Sequence, residues 1–384
     1  MSWYQQTIKS QNKNQILQTI IEHAPLSRTS VAKQLGITKG TVSSLTTELI
    51  NEQIIYEHGP GTSSGGRRPV MLLFNEKAGF SIGINLGVNY ILGILTDLKG
   101  EIVAEQKQTI SVYDFDQMLP IIKRIVQRLM EDAPSSPYGI VGIGVGVPGI
   151  INHKGTVLLA PNLKWENIEL KEELEKAFEV PITIENEANA GAYGELKFTH
   201  ASSAPLQNMT YVSAGIGIGV GPIINGEIYR GEHGFSGELG HMMIEVNGRK
   251  CSCGSRGCWE MYASEKALLV EAEQLLNFPK DLEVLIQEAD TNENIQSIFE
   301  SVGYYLGCGI SNILNTFNPK KVVIGNRLAL AKELLEAPVW KAIEDHTLNF
   351  HKENVEVSFS SLTPYSTSLG VSQAMAEKFI TGNF

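Results

Sequence analysis

The sequence predicts an α/β protein in which an N-terminal winged helix-turn-helix precedes a two-lobed α/β body. Three observations carry that expectation: two short capped helices about a glycine turn, three glycine-rich strand-and-turn runs, and three cysteines crowded just beyond a histidine. At 384 residues the chain exceeds one ordinary core and allows two or three domains. Its 42% hydrophobic and 19% charged residues suit a globular protein rather than a disordered one. No charged stretch followed by an apolar one opens the chain, and no run approaches the roughly 20 apolar residues of a membrane span. A cytoplasmic location with no membrane partner is therefore expected.

Charge divides the chain. Residues 1–74 hold seven basic against four acidic residues, a net +3, whereas the remainder carries −14. A basic front end on an acidic body suits a nucleic-acid-binding module. Ile16, Leu17, Ile20 and Ile21 recur at helical spacing and predict a helix over about Asn12 to His23, closed by Pro25. Ser27 is a good N-cap for a second helix, with Leu26 and Val31 placed as a hydrophobic staple, and Gly36 ends it. Thr38 caps a third helix in the same way, with Ile37 and Val42 as its staple.

Val42, Leu45 and Leu49 form the inward stripe of that third helix and leave Lys39, Ser43, Ser44 and Thr47 outside. Small polar groups and one cation near such a helix start suit a major groove. Two strands follow, Ile54–Glu57 and Pro69–Phe74, joined by a glycine-rich tip ending in Arg67 and Arg68. A hairpin of this kind is a wing whose arginines can enter a minor groove. The candidate DNA contacts are Thr38, Lys39, Thr41, Ser43, Ser44, Arg67 and Arg68.

From Phe80 the pattern changes to apolar strands and glycine turns. Ser81–Leu95 reads as two strands about a tight turn, Gly139–Val147 as a strand ending in Pro148-Gly149, and Ser213–Gly221 as a glycine-rich run after a strand at Thr210–Val212. Each run could present backbone N–H groups to a phosphate or a sugar, and together they imply two related lobes about a ligand cleft. Cys251, Cys253 and Cys258, with His241 ten residues before them, supply three thiolates and one imidazole, a closed tetrahedral set that points to structural Zn²⁺. His241 would bind the metal through one ring nitrogen and leave the other for a ligand. Cys308, in an apolar run, is expected to be a small core residue.

These residues resemble the ROK family (repressors, open reading frames and sugar kinases) over essentially the whole length. The resemblance rests on Glu238-Leu239-Gly240-His241, the Cys251–Glu260 segment, Glu185–Ala190, Gly146–Gly149, the wing Ser63–Pro69 and Asn312–Pro319. It implies an actin/hexokinase-like (ribonuclease H-like) body with a structural zinc. It also implies a sugar site built from Gly149, Asn186, Glu187, Glu238, His241 and Glu260. Within the family the chain is most similar to xylose-responsive repressors, which implies operator DNA, D-xylose with glucose as a competitor, and a homodimer.

The family contains both enzymes and sensors, and phosphoryl transfer needs particular groups. Where the family's kinases resemble one another in Asp-x-Gly-Gly-Thr, this chain reads Asn85-Leu86-Gly87-Val88-Asn89. Ala214 stands at a phosphate-loop threonine position, and Glu187 at the catalytic aspartate. The expectation is a sugar-responsive repressor with no catalytic residue and no bound ATP. An active ATP-dependent kinase and a repressor controlled by a partner protein are the alternatives. Glu187, one methylene longer than aspartate, would fill space that a pentose leaves and crowd glucose. The expected division is a winged head over 1–75, a first lobe over 76–190 plus 365–384, and a second lobe over 191–364 with the zinc and a dimerisation surface.

Overall fold

The structure is a computed structural model that describes residues 3–60, 69–199, 206–276 and 281–382. The head comprises α1 (Trp3–His23), β1 (Leu26–Ser27), α2 (Arg28–Leu35), α3 (Lys39–Asn51), β2 (Ile55–Pro60) and β3 (Val70–Phe74). Helix α1 starts earlier than its apolar spacing suggests, since no proline or glycine interrupts residues 3–12. The Ser27 side chain accepts from the Ser30 N–H and that of Thr38 from the Thr41 N–H, so both caps form as read. Gly36 ends α2 at φ +66°, a left-handed conformation suited to glycine. The three strands make an antiparallel sheet in the order β1-β3-β2. The wing tip, with Arg67 and Arg68, lies outside the described residues.

The body repeats one five-stranded pattern. Its first lobe contains β4 (Phe80–Leu86), β5 (Tyr90–Asp97), β6 (Ile102–Thr109), α4 (Phe115–Glu131), β7 (Ile140–Val147), the small sheet β8 (Ile150–Ile151), β9 (Val157–Ala160) and β10 (Trp165–Ile168), α5 (Leu170–Glu175), β11 (Ile182–Asn186) and α6 (Glu187–Phe198). The second contains β12 (Met209–Ala214), β13 (Ile218–Ile224), β14 (Glu227–Ile228), α7 (Glu260–Ala263), α8 (Glu265–Leu276), α9 (Leu282–Ala289), α10 (Glu293–Phe317), β15 (Lys321–Gly325), α11 (Lys332–His346), α12 (Asn349–Lys352) and β16 (Glu356–Phe359). Helix α13 (Ser366–Thr381) then returns to the first lobe.

The sheets run β11-β7-β4-β5-β6 and β16-β15-β12-β13-β14. In each, an antiparallel three-stranded meander is extended by two parallel strands. Strands β4 and β5 are buried along their whole length, which is why they lack the polar alternation of a half-exposed sheet. Helix α4 covers one face with Met118, Ile122, Val126 and Leu129.

Helix α13 covers the other face of the first sheet, and glycines decide how closely it packs. Cβ atoms at Gly142, Gly144 and Gly146 would meet Met375, Val371 and Thr367 at 2.4, 2.6 and 2.4 Å. Alternate residues of β7 thus face every fourth residue of α13, matching the two periodicities. The glycines of this run serve helix packing rather than ligand binding, which corrects one of the three expectations from glycine runs. Gly370 lies against the Ala190 carbonyl of α6, where an added Cβ would sit 1.8 Å away. Among the described residues no helix is long and apolar enough to cross a membrane.

Candidate functional site

A cavity lies between the lobes. Its first-lobe wall consists of Gly87–Tyr90, Pro148-Gly149, Asn162 and the start of α6; its second-lobe wall consists of the β12–β13 turn, Glu238, His241, Ser252, Glu260, Asn326 and Arg327. All six residues read as the sugar set, Gly149, Asn186, Glu187, Glu238, His241 and Glu260, line it. Asn162, Asn326 and Arg327 were not legible as site residues, because each lies in a loop or at an element end without a motif, whereas the Ser213–Gly221 run does line the cavity, through Ser213 and Gly215–Gly219.

The side chains of this set do different work. Asn186 ends β11 and caps α6, its Oδ1 accepting from the Ala188 and Asn189 N–H groups. Its amide donates to the Gly149 carbonyl at 2.9 Å, so one N–H remains for a ligand. Gly217 in the β12–β13 turn has no Cβ to obstruct Asn162 and Glu260, which approach to 3.0 Å of where one would sit. Glu238 and Glu260 stand on either side of His241, with Glu238 Oε2 4.0 Å from Nε2 and Glu260 Oε1 3.6 Å from Nδ1. Burial raises the Glu238 carboxyl above its ordinary range, an effect that His241 opposes. Carboxylates accept hydrogen bonds from sugar hydroxyls, and two flanking one imidazole suit a polyol.

The ligand set for a metal is assembled beside this wall. One donor atom each from His241, Cys251, Cys253 and Cys258 lies within 4.8 Å of the others. Cys253 and Cys258 sulfurs are 3.7 Å apart, and Cys251 Sγ lies 3.6 Å from His241 Nδ1. Zinc bonds of about 2.3 Å to sulfur and 2.0–2.1 Å to nitrogen give tetrahedral edges of about 3.8 and 3.6 Å, so the set fits that ion. Burial pushes the Cys251 thiol up to about 12 and raises Cys258 as well, so a cation is what would ionise them near neutral pH. Trp259 anchors the loop: fully buried, it donates from Nε1 to the Tyr305 carbonyl and lies against Gly309. Cys308, expected in the core, is half-buried instead. Helix α10 turns Val302, Leu306 and Ile310 inward and leaves Tyr304 and Cys308 in a surface hollow with Met243 and His346.

Asn85 and Arg327 are engaged by their own neighbours. Asn85 is buried and donates to the Tyr90 hydroxyl at 3.0 Å, while the Tyr90 ring lies over Gly87. Arg327, the one guanidinium or ammonium group in the cavity wall among the described residues, is held by Glu265 at 2.8 Å and Glu283 at 3.0 Å. Glu265 is fully buried, so this pair is fixed. A cation neutralised by two carboxylates has little to offer a transferring phosphoryl group.

Glu187 joins the lobes. Its Oε1 accepts from Asn326 Nδ2 at 2.7 Å and from Ser213 Oγ at 3.3 Å, both on the second lobe. Burial raises its carboxyl from 4.5 to about 7, and the two hydrogen bonds oppose that. The native form thus binds a proton more tightly than the unfolded chain does. Stability falls as pH rises between about 4.5 and about 7 and is level above. Glu187→Gln removes the penalty, so it should raise stability at pH 8 by about 1–2 kcal/mol, with little gain at pH 4.5. Melting curves at the two pH values test this; an equal shift at both refutes it.

In the head, Thr38, Lys39, Ser43 and Ser44 are exposed along the start of α3. Thr38 and Thr41 hydroxyls bond each other at 2.9 Å while Thr38 caps the helix, so both are partly engaged. Lys9, Lys13 and Arg28 pair with Glu48, Glu52 and Glu57. Lys33 and Lys39 have no acidic partner among the described residues, which places free positive charge at the helix-turn-helix and adds Lys33 to the candidates. Arg28 also donates to the buried Thr46 hydroxyl, tying α2 to α3 and, through Glu57, to the wing. Lys39→Ala should weaken DNA binding evenly across sequences and reduce the salt slope by about one. Affinities over a range of salt concentrations test it; an unchanged slope removes Lys39 from the contacts.

Helix α13 runs from the cavity to the head. At its start Thr367 donates to the Glu187 carbonyl at 3.2 Å. At its end, about 21 Å away at 1.5 Å per residue, the Thr381 carbonyl accepts from Asn14 of α1. Phe379 stacks edge-on against Tyr138, whose hydroxyl donates to the Glu52 carbonyl at the end of α3. Ala376, Val141 and Leu98 of the body share one apolar cluster with the core of the head.

Known proteins resemble this arrangement throughout. Residues 81–377 match the ROK family, and residues 9–56 match a winged helix-turn-helix DNA-binding family. The chain is 41% identical to the xylose repressor of Bacillus subtilis (strain 168) over 374 residues, 97% of each. A crystal structure of a ROK family transcriptional regulator, a homolog of the E. coli MLC protein, superimposes with a TM-score of 0.80 at 26% identity, covering 98% of this chain and 97% of that one. A ROK family glucokinase from Streptomyces griseus, in complex with glucose and AMPPNP, gives a TM-score of 0.71 at 25% identity over 77% of this chain and 99% of its own.

Proposed function

Because the chain belongs to the ROK family and carries a winged helix-turn-helix ahead of its body, we propose that it is a sugar-responsive transcriptional repressor that senses without catalysing. In this reading it binds operator DNA in the cytoplasm as a homodimer and releases it when D-xylose enters the interlobe cavity. The observation that carries the reading is the cavity wall: a polyol-binding set on one side, and on the other an arginine already neutralised by two carboxylates. The 41% identity to a xylose repressor supports D-xylose as the effector. DNA contacts come from Thr38, Lys39, Thr41, Ser43 and Ser44, with Arg67 and Arg68 from the wing.

Zinc held by His241, Cys251, Cys253 and Cys258 fixes the loop that presents Glu238 and Glu260, and its role is structural. The working units are a head over 1–75, a first lobe that runs from 76 to the end of α6 at Phe198, rather than to 190, and regains 365–384, and a second lobe from there to 364 that also dimerises. Sugar favours one lobe arrangement, and α13 carries that difference to the head.

Glu187 sets the preference for a pentose, so Glu187→Asp should narrow the difference between xylose and glucose. Calorimetry with D-xylose and glucose, beside an assay with ATP and Mg²⁺, tests the reading. One saturable xylose site and no sugar phosphate are expected. Sugar phosphate at enzymatic rates, or no heat with any sugar, overturns it.

A further inference from the structure

A second cavity opens at the outer edge of the first lobe, behind the strand that carries Asn186 into the first cavity. Five separate segments form it: the 152–155 turn, the first turn of α5, strand β11, the loop bearing Arg230, and the last turns of α13. Its wall gathers Lys154, Lys171, Arg230 and Lys378 around one carboxylate, Glu185. That carboxylate is fully used: Arg230 pairs with Oε2, while Asn186 and Asn189 donate to Oε1. Lys171 reaches Glu175 at 3.6 Å on its own helix.

Lys378 is half-buried, and its ammonium donates to Thr183 Oγ1 at 2.8 Å. Among the described residues no carboxylate pairs with it. Burial lowers its pKa from the ordinary lysine value, and repulsion from Lys171 and Arg230 lowers it further, with Glu185 only partly compensating. Arg230 and Lys171 thus have carboxylate partners of their own, and Lys378 is the cation of the three left without one among the described residues.

We propose that this cavity binds a small phosphate-bearing anion, either inorganic phosphate or a phosphomonoester, held by Lys378, Lys171 and Arg230. Three cations arriving from different elements suit a tetrahedral dianion, which accepts charge-assisted hydrogen bonds in several directions. The half-buried position of Lys378 favours a small ligand over a nucleic-acid backbone. Arg230 belongs to the second lobe and the two lysines to the first, so the anion would bridge the lobes. It would also bear on the end of α13 that touches the head, three residues from the Thr381 carbonyl. Occupancy would thus bias the same lobe arrangement as the sugar, from outside the sugar cavity.

Calorimetric titration of inorganic phosphate into the full chain, at fixed ionic strength with chloride as control, tests this. One saturable site is expected, weakened about tenfold by Lys378→Met and by Lys171→Gln, each of which removes one charge-assisted bond. Glycerol 1-phosphate in place of phosphate distinguishes the two sources, the tighter of them being the ligand. D-xylose binding to both variants should match the unmodified chain, which separates this site from the sugar site. Absence of saturable phosphate binding, or binding that neither substitution weakens, overturns the proposal. Lys171 lies on the surface of α5, so its variant keeps the test valid if Lys378→Met fails to fold.

Discussion

Cys258→Ser is expected to abolish sugar binding while leaving operator affinity within about twofold of the unmodified protein. Cys258 is fully buried and adjoins Trp259, whose ring fills the second-lobe core against Gly309. A metal on this set would close the segment from His241 to Cys258, which is otherwise held by two isolated bridges, Met243 with Cys258 and Lys250 with Arg256, and by loop hydrogen bonds such as Ile244 N–H to the Gly257 carbonyl and Cys251 N–H to the Ser255 carbonyl. Structural zinc contributes about 10–16 kcal/mol in isolated zinc-finger peptides. Here the buried tryptophan retains part of the loop's order, so a local loss of a few kcal/mol is the fair expectation. Glu260 follows Trp259 directly, and Glu238 precedes His241 by three residues, so both of these cavity-lining carboxylates move when the loop does. Metal content by mass spectrometry, together with xylose calorimetry, checks this; sugar affinity within a factor of about three of the original would contradict a positioning role.

Glu238→Ala is expected to weaken D-xylose binding about 10- to 100-fold and leave both metal content and DNA binding unchanged. Hydrogen bonds to a charged group are worth about 1.5–3 kcal/mol each, and a carboxylate can accept two from neighbouring hydroxyls. Glu238 is not among the metal donors, and its side chain is 39% exposed in the cavity, so truncation leaves neither a buried void nor an orphaned partner. Glu238→Gln distinguishes charge from shape: a loss close to that of alanine assigns the effect to the carboxylate. Xylose affinity that stays within twofold in Glu238→Ala removes this residue from the site.

The sequence made some elements legible because their signals are local. Caps at Ser27 and Thr38, the stop at Gly36 and the cluster of His241 with Cys251, Cys253 and Cys258 each depend on residues close together in the chain, and each assembles as read. What stayed hidden depends on distant partners. Nothing near Gly142, Gly144 and Gly146 indicates that they make room for Thr367, Val371 and Met375, more than 200 residues away. The glycines of β7 therefore looked like a ligand loop when they are a helix seat.

Asn326 and Arg327 were missed for the same reason, since Asn326 acquires its role only when it donates to the Glu187 carboxylate of the other lobe. Cys308 was misplaced because apolar neighbours on a 25-residue helix do not reveal which side of it faces out. The hydrogen bond from Asn85 to the Tyr90 hydroxyl, five residues on, could be seen only in three dimensions.

The central claim joins a sugar cavity to a DNA-binding head through α13, and fluorescence anisotropy of labelled operator DNA tests it most directly. With D-xylose titrated in, DNA affinity should fall by about 5- to 150-fold, the usual range of coupling between two sites, without ATP and without formation of sugar phosphate. Operator affinity that is the same with and without saturating D-xylose would contradict the account.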